Sequence, residues 1–143
     1  MKLASVDAKL RNDVMIAYVM VGTNDLDSAV KFYDLLMPKM NMVRVETNKD
    51  FAAYAPLSTP ENIEFYITKP FDGYHANSGN GTMIALAVET IQIVADCHRV
   101  GIDAGGQDEG APGFRPEHGN IYYAYVRDLD GNKLCFVHEK KVS

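Results

Sequence analysis

Hydrophobic residues follow two spacings along this chain, and their order predicts the secondary structure. A nearly continuous apolar run at 14–22 is typical of a strand covered on both faces. From Leu26 to Met37 the apolar residues recur at helical spacing, so we expect a helix between a cap at Asn24 and an end at Pro38. Three strand-like runs separated by turn residues follow, at 42–46, 51–56 and 62–68.

A second unit with the same order begins after a polar, glycine-containing connector at 69–80. Its predicted elements are a strand at 82–88, a helix at 91–104, a short strand at 107–110 and a closing hairpin. When the two strand-helix units are superposed, Met83 falls on Tyr18 and His98 falls on Tyr33, and the apolar stripes coincide. The sequence therefore predicts an internal repeat of two modules, 14–68 and 81–139, within one domain, 1–143.

The closing hairpin carries the clearest local motif. Arg-Asp-Leu-Asp-Gly-Asn at 127–132 precedes an alternating strand, and its Gly and Asx residues are typical of a tight turn. This motif resembles the last hairpin of the glyoxalase/bleomycin-resistance/extradiol-dioxygenase superfamily, the vicinal oxygen chelate proteins. The resemblance runs from about 15 to 139 and includes three further segments, Asp25-Leu26 with Phe32-Tyr33, Asn80-Gly81-Thr82 and the glycine- and proline-containing stretch at 110–116.

The resemblance implies an α+β fold. Two βαβββ modules would form an eight-stranded curled sheet around a cleft, with one helix backing each module. Two-module members of the superfamily usually pair, and uncovered edge strands favour pairing, so a homodimer is expected.

Composition narrows the partners and the setting. A net charge of −5 with scattered Lys and Arg gives no basic stripe for nucleic acid, and no apolar run approaches the ~18 residues that span a membrane. The two cysteines, Cys97 and Cys135, are far apart and suit a reduced, cytoplasmic setting. Residues 1–13 show neither strand nor helix spacing, so we expect a frayed arm that a partner subunit orders. A small molecule is the expected ligand.

The resemblance also implies where a metal would lie, because family enzymes take His or Glu ligands from the first, fourth, fifth and eighth strands. Tyr18, Met83 and Cys135 occupy three of these positions, and none is a His or a carboxylate. The fourth position falls on Glu64 or, with a shift of one residue, on Phe65, and strand alternation alone does not decide between them. Since a catalytic site needs about three protein ligands, we expect no metal cofactor, with a divalent ion as the alternative.

Other side chains are expected to reach the cleft. Arg115 and His118 lie in a loop before the seventh strand, and an arginine fork there suits a carboxylate or phosphate. Tyr123 and Tyr125 face the cleft if Ala124 and Val126 face the helix. The predicted cleft residues are therefore Tyr18, Glu64, Met83, Arg115, His118, Tyr123, Tyr125 and Cys135.

Three interpretations of this cleft stay open. The first is a metal-free site that binds a small organic ligand against an apolar wall. The second is a metal-dependent glyoxalase-like lyase, isomerase or dioxygenase with an atypical site. The third is a structural dimer in which Tyr18, Met83 and Cys135 plug the cleft as packing residues.

Overall fold

Two βαβββ modules make up residues 15–141, the part of the chain that the computed structural model describes. The first contains β1 (Val19–Gly22), α1 (Leu26–Leu36), a 3-10 helix (Met37–Met40), β2 (Met42–Thr47), β3 (Phe51–Pro56) and β4 (Phe65–Thr68). The second contains β5 (Ile84–Ala87), α2 (Ile91–Asp103), β6 (Gln107–Phe114), β7 (Ile121–Arg127) and β8 (Lys133–Glu139). This order confirms the predicted α+β fold with one helix backing each module. The predicted arm at 1–13 lies outside the described residues.

The strands form two sheets of four, in the orders β1-β4-β3-β2 and β5-β8-β7-β6. In each sheet the first and last strands of the module pair in parallel, and the other neighbours are antiparallel. Within residues 15–141, no helix is both long enough and apolar enough to cross a membrane.

Several strand limits differ from the prediction. β1 begins at Val19, where its partner β4 begins at Phe65, and the predicted start at residue 14 lies outside the described residues. β6 runs on to Phe114, past its predicted end at residue 110. It crosses Pro112, which has no N–H to donate, through a shift in register between Gly110 and Gly113.

The helix caps correct one residue of the prediction. Asp25, not Asn24, caps α1, and its carboxylate accepts a hydrogen bond from the Ser28 N–H at 3.1 Å. Thr90 caps α2 in the same way. Asn24 instead bonds the connector, where its side chain accepts from the Ala76 N–H at 2.7 Å. Both modules therefore start their helix with the same device.

A single core lies between the two helices and the two sheets. Its largest fully buried side chains in the first module are aromatic: Phe32, Tyr33, Tyr54 and Phe65. Those of the second module are mostly smaller: Val94, Val126, Leu134 and Phe136. Since alternate strand residues fill this core, the remaining residues of each strand lie on the face turned away from the helix.

The turn at 128–132 joins the second module to the first, and we call these five residues the hairpin clasp. The Asp128 carboxylate accepts from the Tyr33 hydroxyl at 2.6 Å and from the backbone N–H groups of Asp130 and Asn132, each at 2.9 Å. The Asn132 amide donates to the Gly22 carbonyl at 2.9 Å. Burial raises the pKa of Asp128 above its ordinary value. The motif that carried the family resemblance thus fixes how the modules meet.

Candidate functional site

Most of the predicted cleft residues lie on the two sheet faces turned away from the helices, Tyr18 and Glu64 on the first sheet and Met83, Tyr123, Tyr125 and Cys135 on the second. We call these the open faces. On the first, Val19 and Phe65 pack in the core, so their strand neighbours lie on the other side. Phe65 is therefore buried, and Glu64 lies on the open face. The first open face consists of Tyr18, Met20, Phe51, Glu64 and Tyr66.

Three aromatic rings contact one another on the first open face. The Tyr18 and Tyr66 ring centres are 5.0 Å apart, and those of Phe51 and Tyr66 are 5.6 Å apart, both in edge-to-face geometry. Glu64 lies beside them, and partial burial raises the pKa of its carboxyl. These side chains form an apolar wall with one acidic group.

Tyr66 is absent from the cleft residues that the sequence predicts, and the strand register explains why it belongs there. β1 pairs with β4 through Val19 and Phe65, while β5 pairs with β8 through Ile84 and Leu134. These pairs are equivalent in the repeat, so Tyr18 corresponds to Met83, Tyr66 to Cys135 and Glu64 to Lys133. The sequence superposition covered only the first strand and the helix of each module. Extending it to β4 and β8 would have shown that Tyr66 is the equivalent of Cys135.

The second open face combines tyrosines with a cysteine. Ala124 and Val126 are buried in the core, which leaves Tyr123 and Tyr125 on the opposite side of β7. Their rings stack at 5.9 Å with an interplanar angle of 10°. Tyr125 lies opposite Cys135 across the antiparallel pair. The second open face consists of Met83, Ala85, Tyr123, Tyr125, Lys133 and Cys135.

The Cys135 thiol is buried and has the chemistry of a neutral group. Burial raises its pKa, although a hydrogen bond with Tyr125 and the charges of Arg115 and Lys133 act in the opposite direction. Cys97, in the core, has its pKa raised by burial to about 12. A protonated thiol is a weak nucleophile, which argues against covalent chemistry at Cys135.

Arg115 is bound mainly by backbone oxygens. Its guanidinium donates to the carbonyls of Ala111 at 2.7 Å, Tyr123 at 3.0 Å and Gly113 at 3.2 Å. It also lies 5.2 Å from the centre of the Tyr125 ring, within range of a cation–π contact. Arg115 therefore ties β6 to β7, and most of its hydrogen-bonding capacity is used within the protein.

His118 does not join this group. It is exposed in the turn between β6 and β7, and its side chain takes part in no hydrogen bond or ion pair within residues 15–141. His98 bonds Asp108 of β6 at 2.9 Å, which agrees with a hydrogen-bonded structural role. Nowhere in residues 15–141 are three or more His, Cys, Asp or Glu side chains grouped to hold a metal ion.

Comparison with known proteins adds relatives of known structure. Neither a protein-family model nor a curated protein matches the chain. A glyoxalase/bleomycin resistance protein from Albidiferax ferrireducens T118 is 38% identical, with a TM-score of 0.78, and the match covers 88% of this chain and 99% of that one. A glyoxalase-related enzyme from Fulvimarina pelagi is 20% identical, covering 87% of each chain at a TM-score of 0.68.

A third solved structure has the same fold at lower identity. It is a glyoxalase/bleomycin resistance protein/dioxygenase family enzyme from Burkholderia phytofirmans PsJN, 17% identical, with 87% of this chain and 98% of that one covered at a TM-score of 0.66. At such identities the second and third matches bear on the fold alone. The first match spans nearly the whole of its relative at much higher identity.

Proposed function

This chain belongs to the glyoxalase/bleomycin resistance/dioxygenase family, and from that premise we propose that it binds a small organic ligand between its open faces without the family's metal. One observation carries the proposal. The resemblance assigns metal-ligand positions to Tyr18, Met83 and Cys135, and the strand register makes Tyr66 the equivalent of Cys135, in place of the predicted Glu64 or Phe65. None of these four side chains is a His or a carboxylate. Together they line an apolar, aromatic site.

The donor chemistry of these residues does not fit a divalent metal. Phenol and thioether groups are poor ligands for hard or borderline ions, and a metal-binding cysteine must be a thiolate. The raised pKa of Cys135 favours its neutral thiol. Glu64 is a lone carboxylate beside them, whereas a catalytic site typically has three protein ligands. No reaction step through a metal is therefore proposed.

The exposure of the open faces favours ligand binding over a plugged cleft. Tyr18 is 54% exposed, Met20 51% and Met83 43%, so these side chains do not fill a closed core. Aromatic rings and polarizable sulfur atoms beside a few polar groups are the usual lining of small-molecule sites. A planar organic molecule has four tyrosines and a phenylalanine to pack against.

We also expect the protein to work as a homodimer. β1 and β2 are the edge strands of the first sheet, and β5 and β6 are those of the second. Within residues 15–141 each has hydrogen-bonding groups without a strand partner on one side. Pairing of two copies would cover such edges. Sedimentation equilibrium at micromolar concentration should give the dimer mass, and a monomer mass would refute this expectation.

The proposal is tested by screening a panel of aromatic and aliphatic metabolites for thermal stabilisation of the untagged protein. A ligand present at a hundred times its dissociation constant should stabilise by about 2.7 kcal/mol. Tyr66→Ala and Tyr125→Ala should weaken any such ligand, because each removes a ring from an open face. Tyr74→Ala is the matched control, since Tyr74 is an exposed connector residue.

Two results would contradict the proposal. Stoichiometric binding of zinc, nickel or manganese to the wild-type protein, measured by calorimetry, would favour the metal-dependent enzyme. A ligand whose affinity is equal in the wild type, Tyr66→Ala and Tyr125→Ala would bind away from the open faces.

A further inference from the structure

A small cavity lies where the first strands of the two modules approach each other, and we call it the seam pocket. Its volume is about 130 Å³, and both modules contribute to its walls. At ~30 Å³ per water, this is the space of about four waters, enough for a compact charged group. Residues that line it include Met20, Ser78, Thr82, Ile84, Asn132 and Lys133.

Three polar side chains of the seam pocket lack partners among residues 15–141. Lys133 is half-buried, and its ammonium group makes no hydrogen bond or ion pair with any residue in the range 15–141. The hydroxyls of Ser78 and Thr82 also donate no hydrogen bond to the described part of the chain. An unpaired, partly buried ammonium is unfavourable unless an anion or water satisfies it. These three donors line one small cavity and therefore suit an anionic group.

Acidic side chains of the adjacent turn and of β6 are engaged elsewhere. Asp128 accepts from Tyr33 and from Asn132 within the hairpin clasp. Asp130 accepts from the Asn24 backbone N–H at 2.9 Å. Glu109, on the neighbouring sheet edge, pairs with Arg127. Within residues 15–141, no carboxylate pairs with the positive charge of Lys133, so a bound anion would satisfy it.

Lys133 lines the seam pocket and also belongs to the second open face. The Lys133 Nζ atom lies 5.4 Å from the centre of the Tyr125 ring, and the Arg115 guanidinium carbon lies 5.2 Å from the same centre. Two cations therefore flank one tyrosine, and neither forms an ion pair with a carboxylate in residues 15–141. A ligand packed against Tyr125 would have its anionic end within reach of the seam pocket.

We propose that the seam pocket is the anion subsite of the open-face ligand, with Lys133 as its charged donor and Ser78 and Thr82 as neutral donors. The inference rests on the proposed function, which it deepens by naming the ligand class. That class is a planar organic acid, a carboxylate or a phosphate ester, whose ring packs against Tyr125. Glu64, the repeat equivalent of Lys133, has the opposite charge, so the site has a defined polarity.

The test compares three probes that share one ring: benzoate, phenyl phosphate and benzyl alcohol. Their dissociation constants are measured by NMR titration of the backbone amides in the wild type, Lys133→Met and Lys133→Arg. We expect at least one anion to bind about tenfold more tightly than benzyl alcohol, as a charge-assisted hydrogen bond implies. Lys133→Met should remove that advantage and leave benzyl alcohol unchanged, while Lys133→Arg should keep most of it.

Lys49→Met is the matched control, because Lys49 is exposed in the turn between β2 and β3 and its removal changes the net charge equally. It should leave all three constants unchanged. Whichever of benzoate and phenyl phosphate binds more tightly identifies the preferred anionic group as a carboxylate or a phosphate. The amides of Ser78 and Thr82 should shift with the anions and not with benzyl alcohol.

The outcomes separate the two proposals. Equal affinities for all three probes that do not respond to Lys133→Met, but do respond to Tyr125→Ala, would overturn the anion subsite and keep the open-face site. Anion binding that depends on Lys133 but not on Tyr125 would overturn the combined ligand and leave an isolated anion pocket. Binding that responds to neither substitution would overturn both proposals.

Discussion

The two modules share a backbone plan but use an equivalent helix position for different purposes. Tyr33 of α1 and His98 of α2 follow their caps at the same spacing, and each bonds an aspartate. The Tyr33 bond is buried and reaches the other module, whereas His98 bonds Asp108, whose side chain is 60% exposed, within its own module. At this helix position, therefore, only the first module makes a hydrogen bond to the other module.

The open faces differ in the same asymmetric way. Where the first module has Glu64 and Tyr66, the second has Lys133 and Cys135. The repeat gives equivalent strands the same position within each module, but the side chains proposed to contact a ligand differ between the modules at equivalent positions. Side chains that break the pseudo-symmetry are thus the ones to test.

The largest expected difference between the modules concerns the two aspartates. Asp128→Ala would leave the Tyr33 hydroxyl, two backbone N–H groups and one of the two Asn132 amide hydrogens without an acceptor. We expect a loss of about 3 to 4 kcal/mol in the free energy of unfolding, measured by urea denaturation. Asp108→Ala, in the exposed pair, should cost far less. Equal losses would mean that the hairpin clasp is no more important than a surface contact.

The pH dependence of stability should have opposite signs at these two residues. Burial raises the pKa of Asp128 in the folded protein, so its protonation contributes stability below the unfolded value of ~3.9 that is lost as pH rises through the folded pKa. The hydrogen bond with His98 lowers the pKa of Asp108, so its contribution is present above ~3.9 and is lost as pH falls through the folded pKa.

Both pH dependences can be measured as the free energy of unfolding by urea denaturation between about pH 3 and pH 7, a range that brackets the ordinary carboxyl pKa. The difference between wild type and Asp128→Asn should fall with rising pH. The difference between wild type and Asp108→Asn should fall with falling pH, and by a smaller amount because that carboxylate is exposed. If both differences in unfolding free energy changed with pH in the same direction and by the same amount, the two carboxyls would have the same environment.

The smallest effect compares Leu36 of α1 with Gly101, its equivalent in α2. A Cβ at Gly101 would meet the Val126 methyl groups at 3.4 Å, which is an ordinary contact. Because glycine weakens a helix interior, Gly101→Ala should raise the free energy of unfolding by about 0.5 to 1 kcal/mol. A loss of stability would show that α2 packs against β7 too closely for any side chain at this position.

Local patterns predicted the framework because they depend on neighbouring residues. Helical spacing found α1 and α2, and the turn residues at 128–132 found the last hairpin. The cap moved from Asn24 to Asp25 because Asn24 bonds the connector at Ala76, about 50 residues away, which no local pattern encodes.

The site was less predictable because its geometry depends on register and on backbone atoms. Strand alternation placed Glu64 and Phe65 on opposite faces without saying which face was open, and it did not reveal Tyr66. Arg115 was expected to reach a ligand, yet carbonyl groups of β6 and β7 accept most of its hydrogen bonds. That no carboxylate among residues 15–141 pairs with Lys133 is a property of three-dimensional packing.

The hairpin clasp also determines when the fold can be completed during synthesis. The hydrogen bond from Asn132 to Gly22 joins residues 110 positions apart, and the bond from Tyr33 to Asp128 joins residues 95 apart. The Gly22 carbonyl and the Tyr33 hydroxyl therefore cannot form these hydrogen bonds until β7 and β8 have been synthesised. Until then the first module lacks these two hydrogen bonds, so we expect a chain truncated after β7 to be prone to aggregation.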